Sequence, residues 1–237
     1  MPAPIPLIVF AVPEETKAFL KRIAPKDRLN GDKGVRCRRG SIGWERTWPT
    51  LRVLTTGMGT GNSKTAFEDV YSSARPSFVL TCGFAGGLNP DLPLGTVLFD
   101  TDAVFPLLGG LTSGGARRGT FHCADHVAVT VAQKAALRGS TGADVVEMES
   151  SVIRAACQER GIPSATVRVI SDTAKEDLPL DFNALMTADY RLDFFKLARH
   201  LVCSPGKIPE LMRFQNRVVF AADRLAETLV KALADAA

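Results

Sequence analysis

The chain has 237 residues, 46% hydrophobic and 23% charged, and its 29 basic and 25 acidic side chains give a formal net charge of +4. This composition excludes a disordered chain, a collagen-like repeat and a coiled coil. The basic residues form no run interleaved with aromatic side chains, so no nucleic-acid partner is expected. Five cysteines without a Cys-x-x-Cys pair predict reduced thiols, no zinc site and a cytoplasmic location.

Short apolar runs alternate with longer helical patterns along the chain. This alternation predicts an α/β fold, with a central mixed, largely parallel twisted sheet between layers of helices. No linker or repeat divides the sequence, so we expect residues 1–237 to form a single domain. The glycine-rich span 109–119 is predicted to be a mobile loop over a site. Strands are predicted at Leu7–Val12, Leu51–Thr56, Ser77–Cys82, Thr96–Thr101 and Ala165–Ser171, with a hairpin near Val35–Thr47; helices are predicted at Glu14–Ile23, Ser63–Ser73, Asp125–Leu137, Val145–Arg160 and Asn216–Ala234.

Three predicted strands end in unusual sequences. Gly57–Gly61 and Gly83–Gly87 follow the second and third strands, and Ser171-Asp172 closes the last. Ligands bind outside the carboxyl ends of parallel strands, where glycines let backbone amides approach them, so these segments are expected to share one site. A dinucleotide site is disfavoured because Asn62 replaces the third glycine of that motif. A plain cap of the next segment is the other interpretation of Ser171-Asp172.

Glu149 is the most unusual residue of the predicted helices. With Val145, Val152 and Ala156 it falls on one core-facing stripe, so its carboxylate is expected to point inward among apolar neighbours. A buried carboxylate needs a partner. The spacing leaves two interpretations open: an internal salt bridge, for instance to Arg168, or a functional role.

Several motifs spread along the chain carry a family resemblance. They are Ala11–Glu15, Thr56–Gly59, Gly83–Leu88 with Leu94–Val97, Val146–Ser150, Ile162-Pro163 and Val167–Asp172. Together they resemble the purine nucleoside phosphorylase and uridine phosphorylase superfamily, and within it the nucleosidase branch that hydrolyses methylthioadenosine and S-adenosylhomocysteine. The resemblance implies a nucleoside phosphorylase-like fold and cleavage of the N-glycosidic bond of a purine nucleoside, with adenine as the expected base.

The family pattern assigns roles to individual residues. It makes Asp172 the acid at purine N7, oriented by Ser171, and Glu15 the group that positions and deprotonates the attacking water. Glu149 and the backbone around Met148 would hold the ribose hydroxyls. Neither a metal nor an organic cofactor is implied. The remaining expected substrate contacts are Glu147, Gly59, Phe84, Ala85, Gly86, His126 and Val127.

Two positions bear on whether the nucleophile is water or phosphate. The phosphorylases carry an arginine shortly before the second glycine turn and a serine within it, where this chain has Thr81 and Phe84. An oxyanion needs charge-assisted donors, so hydrolysis is favoured. Phosphate as a co-substrate stays the alternative, with Arg39, Arg117 or Arg118 reaching in from a loop.

The substrate's 5′ group is less well specified by the resemblance. Residues 125–127 replace the base-stacking phenylalanine of the methylthioadenosine enzymes. The segments Thr141–Ala143, Leu178–Asp181 and Pro205–Leu211 look like the hopanoid-associated branch, which is assigned to removing adenine from adenosylhopane. A lipid nucleoside would need an apolar groove, and Val104–Leu108 with residues 194–199 would form one and touch a membrane surface. The alternative for these segments is ordinary core and oligomer contact.

Two further expectations concern partners and class. A non-catalytic nucleoside-binding module is the alternative from another class, and the presence of Glu15, Glu149 and Asp172 argues against it. The resemblance also implies a homodimer that binds a small-molecule nucleoside.

Overall fold

The apolar runs form one sheet in the computed structural model, which describes residues 5–23, 35–36, 44–47, 51–102, 104–187, 196 and 205–235. Within these ranges the strands are β1 (Leu7–Phe10), β2 (Val35–Arg36), β3 (Trp44–Thr47), β4 (Arg52–Thr55), β5 (Val79–Gly87), β6 (Val97–Thr101), β7 (Arg117–Arg118), β8 (Phe121–Cys123), β9 (Val145–Glu147) and β10 (Ser164–Asp172). The helices are α1 (Pro13–Ile23), α2 (Thr60–Ser73), α3 (Leu108–Ser113), α4 (Val131–Thr141), α5 (Ser150–Glu159), α6 (Phe182–Leu185) and α7 (Ile208–Ala234), with a 3-10 turn at Pro205–Lys207.

The sheet has the strand order β2-β3-β4-β1-β5-β10-β6-β7. Its centre, β4-β1-β5-β10, is parallel, whereas β3 and β6 run antiparallel to their central neighbours. The predicted mixed, largely parallel sheet is therefore confirmed, and so is the hairpin, which β2 and β3 form. Parallel central strands bring their carboxyl ends to one edge, which is where the predicted site residues lie.

Two helical layers cover the sheet. Core residues of α1, α3 and α7 pack against one face, and core residues of α2 and α5 pack against the other. The strands alternate between these two cores, since Leu7 and Val9 belong to one while Ile8 and Phe10 belong to the other. The three-layer arrangement predicted from the sequence is the arrangement observed.

The second glycine run is part of a strand and not a turn, contrary to prediction. β5 extends to Gly87, because β10 continues beside it and β9 pairs with Gly86 and Gly87 on the other side. The pairing with β10 and β9 continues the backbone ladder past Cys82, so the strand has no reason to end there. β5 and β10 thus run together beyond the end of β1.

Two predicted helices begin later than expected. Val145–Glu147 is strand β9, and α5 starts at Ser150, because β9 pairs with both β5 and β8. The prediction of a helix from Asp125 is also wrong. α4 starts at Val131, behind a capping box in which the Thr130 hydroxyl accepts from the Gln133 amide.

The glycine-rich span 109–119 does not form the predicted loop. Its first part is helix α3, which lies directly against α7. A Cβ atom at Gly110 would stand 2.5 Å from the carbonyl oxygen of Ala232, so glycine is what allows the two helices to approach. The last helix, α7, also begins earlier than predicted, at Ile208, with Pro209 in its first turn.

No helix of the described chain is both long enough and apolar enough to cross a membrane. Among the described residues, no group of three or more His, Cys, Asp or Glu side chains is arranged so that it could hold a metal ion.

Candidate active site

Glu15 lies at the end of β1, in the first turn of α1, and its carboxylate is buried. The amides of Ala11 and Val12 donate to Oε2 at 2.9 and 3.1 Å, and the amide of Phe84 donates to Oε1 at 2.7 Å. Burial raises the pKa of Glu15, while these three amides and Arg168 act against that rise. Oε1 keeps one acceptor position open, so the carboxylate is held rigidly and is still able to accept a proton.

Glu149 occupies the turn between β9 and α5, directly before the helix starts. The Gly59 amide donates to its Oε1 at 3.1 Å, which joins this turn to the glycine turn after β4. The prediction that the Glu149 carboxylate points inward is confirmed. The basis of that prediction was wrong, because residues 145–149 are not helical and form no helical stripe. The antiparallel pairing of β9 with β5 is what delivers Glu149 to the site.

Arg168 lies buried between two carboxylates. Its Nη2 donates to Oε2 of Glu147 at 2.7 Å and stands 3.8 Å from Oε2 of Glu149. The salt bridge considered for Glu149 therefore exists, although Glu147 is the closer partner. Burial tends to lower the pKa of Arg168, but the carboxylates of Glu147, Glu149 and Glu15 raise it overall.

The pKa values of Glu147 and Glu149 shift in opposite directions, although Arg168 acts to lower both. Burial acts to raise the pKa of Glu147, but Arg168 and the amides of Glu149 and Ser150 lower it overall. Burial raises the pKa of Glu149 to about 7; Arg168 opposes the rise, and Glu147 and Glu15 add to it. Glu147 thus serves as the permanent counter-ion of Arg168, which leaves Glu149 as the carboxylate that can exchange protons near neutrality.

Asp172 ends β10 and both of its oxygens are engaged. The Ser171 hydroxyl donates to Oδ1 at 2.8 Å, and Nζ of Lys134 lies 2.6 Å from Oδ2. Gly86 is its neighbour on β5, and a Cβ there would stand 3.3 Å from Oδ2. The structure therefore places Ser171 against Asp172 as expected, and it adds a lysine that was not expected.

The remaining predicted contacts surround these carboxylates. Gly59, Phe84 and Gly86 touch Glu149, Glu15 and Asp172 through the contacts above. Ala85 lies buried between Phe84 and Gly86 on β5, and Met148 is buried in the turn before Glu149.

His126 and Val127 lie in the loop between β8 and α4. β8 runs parallel to β9, and Cys123 pairs with Glu147, so this loop leaves the sheet at the same edge as the Glu149 turn. The Val127 amide and carbonyl bond reciprocally to Asn183 at 2.9 Å, which fixes the loop to α6. The side chain of His126 is exposed.

The groups considered for phosphate lie elsewhere. The Thr81 hydroxyl donates to Thr166 at 3.2 Å within the sheet, and Arg117 and Arg118 are exposed on the edge strand β7. Arg39 lies outside the described residues. The same holds for residues 194, 195 and 199 of the predicted lipid groove.

A cavity of about 370 Å³ lies between β6, β8 and α5. Its lining includes Asp100, Asp102, Cys123 and Arg154, and it reaches Glu147. Because neither Glu15, Glu149 nor Asp172 is among its described lining residues, the candidate site is defined by the carboxylates at the strand ends and not by this cavity.

Lys134 is the site residue that the sequence interpretation missed. Its side chain has no exposed surface, although it belongs to a helix whose other residues are partly or fully exposed. The sequence did offer one signal: Lys134 has helical spacing from Val131 and Leu137, which places the lysine on the same side of the helix as two apolar residues. It was overlooked because the helix was expected to start six residues earlier.

Known proteins resemble this chain in part of its sequence and in its fold. Residues 115–202, which include Glu147, Glu149, Ser171 and Asp172, match the family model of the phosphorylase superfamily. The resemblance to this superfamily is therefore supported over residues 115–202 of the chain.

Solved structures of several bacterial enzymes have the same fold. Futalosine hydrolase of Helicobacter pylori has a TM-score of 0.68 at 18% identity, with 98% of each chain covered. The 5′-methylthioadenosine/S-adenosylhomocysteine nucleosidase of Campylobacter jejuni has a TM-score of 0.66 at 17% identity, covering 98% of this chain and all of its own. A mutant of the corresponding Helicobacter pylori enzyme, solved with 5′-methylthioadenosine in its active site, has a TM-score of 0.70 at 16% identity, covering 98% of this chain and 99% of its own.

Proposed function

We propose that this chain hydrolyses the N-glycosidic bond of a purine nucleoside, with adenine as the preferred base. The observation that carries the proposal is that three buried carboxylates, Glu15, Glu149 and Asp172, lie at the edge of the sheet where the parallel strands end. Cleavage of this bond develops positive charge on the sugar and negative charge on the departing base, so a proton donor and a group that activates the nucleophile are needed.

The contacts suit distinct roles for the three groups. Glu15, fixed by three amides and with one acceptor position open on Oε1, accepts the proton of the attacking water. Glu149, anchored by Gly59, accepts hydrogen bonds from the ribose hydroxyls. Asp172, with Ser171 on Oδ1, donates the proton to purine N7.

Water is favoured over phosphate as the nucleophile by the partners of the nearby cation. Arg168 faces Glu147 and Glu149, so its charge is already compensated by carboxylates. The Phe84 amide is bonded to Glu15, and Thr81 is bonded to Thr166. A second anion would have to displace these partners, at the cost of leaving buried groups unpaired.

The neighbouring folds favour a 5′-substituted adenine nucleoside as substrate. The Helicobacter pylori and Campylobacter jejuni nucleosidases are named for 5′-methylthioadenosine and S-adenosylhomocysteine, both of which are 5′-substituted adenine nucleosides. A lipid-linked adenine nucleoside stays the alternative 5′ group, and a homodimer and a cytoplasmic location stay predictions.

The proposal is tested by measuring base release from adenosine, methylthioadenosine, inosine and a 5′-alkyl adenosine, with and without phosphate. We expect phosphate-independent release of adenine together with the free sugar. Strict phosphate dependence with ribose 1-phosphate as product would identify a phosphorylase instead. Glu15→Gln, purified in parallel, is expected to lose at least about 100-fold in kcat, which excludes a contaminating activity. Release from no substrate by the wild type would overturn the proposal.

A further inference from the structure

Lys134 makes three polar contacts in a fully buried position. Its Nζ lies 2.6 Å from Oδ2 of Asp172, and it donates to the carbonyl oxygens of Thr173 at 2.8 Å and Glu176 at 2.9 Å. An ammonium group has three donors, so each of them has an acceptor. A lysine side chain is almost never fully buried without a partner, and Asp172 supplies that partner for Lys134.

The neighbouring backbone holds this lysine in place. The capping box at Thr130 sets the start of α4, and Lys134 follows one turn later. The amide of Val131 donates to Oδ1 of Asp177 at 2.7 Å, and the amide of Leu178 donates to the carbonyl of Val129 at 2.8 Å. The start of α4 and the segment after Asp172 are therefore tied together at several points, and the contact between Lys134 and Asp172 lies between them.

We propose that Lys134 is a positioning residue for protonation of the leaving group, an inference that rests on the proposed function. It holds Oδ2 of Asp172, while Ser171 holds Oδ1, so the carboxyl group keeps one orientation toward the base. It also faces the charge that Asp172 acquires as the proton leaves. The attraction between Lys134 and Asp172 therefore grows toward the transition state, which is the condition for an interaction to accelerate the reaction.

The proton balance of this step is closed. In the starting form the Asp172 carboxyl group carries a proton, and the carbonyl oxygens of Thr173 and Glu176 hold the Lys134 ammonium. The N-glycosidic bond breaks and its electron pair goes to the purine, whose N7 takes the proton of Asp172. Asp172 is left as a carboxylate opposite the Lys134 ammonium. Water adds to the anomeric carbon and gives its proton to Glu15. Exchange of protons with solvent then returns Glu15 and Asp172 to their starting forms.

The first experiment compares Lys134→Met with Lys175→Met, which removes an exposed lysine three residues from Asp172. With the nucleoside that the wild type cleaves best, Lys134→Met should lower kcat by about 100-fold and change KM by less than about threefold. Lys175→Met should keep the wild-type kcat. A Lys134→Met protein with the wild-type kcat would overturn the inference.

A double-mutant cycle separates this role from a merely structural one. If Lys134 acts through Asp172, Lys134→Met combined with Asp172→Asn should have the same kcat as Asp172→Asn alone, within about threefold. Multiplying losses would overturn the inference. Cleavage of 4-nitrophenyl riboside, whose leaving group needs no proton, should be nearly unaffected by Lys134→Met; where the wild type does not cleave this compound, the cycle decides.

Folding and the proposed function are controlled separately. Circular dichroism checks each variant, and if Lys134→Met does not fold, Lys134→Arg replaces it. Because that variant keeps the charge, it should retain more activity than Asp172→Asn; an equal loss in a folded protein would overturn the inference. A wild type that cleaves no nucleoside overturns the proposed function and this inference together, whereas an active wild type with a fully active Lys134→Met overturns the inference alone.

Discussion

Glu15 owes its position to backbone groups and to the absence of a side chain at Gly83. A Cβ atom at Gly83 would stand 2.6 Å from Oε1 of Glu15 and 3.0 Å from its Cδ. The carboxylate fills that space and accepts from the next residue, Phe84. Glycine is thus required here by close approach, since strand β5 itself has extended backbone at this point.

Gly83→Ala is therefore expected to displace the Glu15 carboxylate while leaving the fold intact. The added methyl group meets the end of a side chain that is able to rotate, so the free energy of unfolding should fall by no more than about 2 kcal/mol. The loss of the Phe84 bond misplaces the group that activates water, and kcat should fall by at least about 10-fold. Steady-state kinetics and urea unfolding measure the two effects.

Gly61→Ala is the matched control, because a Cβ there has nothing within 4 Å. It should keep the wild-type kcat. If Gly83→Ala is as active as Gly61→Ala, Glu15 does not need its observed position.

At this scale the sequence predicted the carboxylates and several of their neighbours, but not Lys134. Glu15, Glu149 and Asp172 stand in motifs whose residue types carry the family's chemistry, so a single sequence was enough to single them out. Lys134 stands in no such motif. Its importance depends on where α4 begins and on how the segment after Asp172 folds back, and both are tertiary facts.

Helices α3 and α7 show what element packing adds to local pattern. Five glycines from Gly109 to Gly119 favoured a loop, but two of them, Gly110 and Gly114, are where α3 touches α7. Helical backbone is tolerated there because the close contact buries Leu111 completely. Similarly, Val145–Glu147 has helical spacing yet forms β9, because pairing on both sides outweighs a weak local preference.

The packing of α3 on α7 predicts opposite effects at neighbouring glycines. A Cβ at Gly110 would lie 2.5 Å from the carbonyl oxygen and 3.0 Å from Cα of Ala232, and neither backbone atom can move without shifting α7. Gly110→Ala should lower the free energy of unfolding by about 1–3 kcal/mol. Gly109→Ala meets nothing within 4 Å and should be neutral or stabilising by up to about 1 kcal/mol. Urea denaturation of both variants checks this, and equal effects would contradict the close helix contact.

Over the whole molecule, burying acidic groups in one site makes stability depend on pH. Glu15 and Glu149 have raised pKa values in the folded chain, chiefly through burial. Glu147 has a lowered pKa, because Arg168 and neighbouring amides outweigh the effect of its burial. Glu147, whose pKa is lowered, affects stability only at acidic pH, near and below the ordinary glutamate pKa of 4.5. Glu15 and Glu149, whose pKa values are raised, affect stability above pH 4.5.

The sign for Glu149 follows from its pKa of about 7 in the folded state against 4.5 as the ordinary value. Between these values the folded chain holds a proton that the unfolded chain has released, so the free energy of unfolding falls as pH rises. From about pH 5 to 8 the wild type should lose on the order of 2 kcal/mol more than Glu149→Gln, whose remaining slope comes from Glu15. Glu14→Gln, at an exposed position beside Glu15, should keep the wild-type slope. Urea unfolding at several pH values measures all three proteins. Equal slopes for the wild type and Glu149→Gln would show that Glu149 stays ionised in the folded chain, with Arg168 compensating its charge in full.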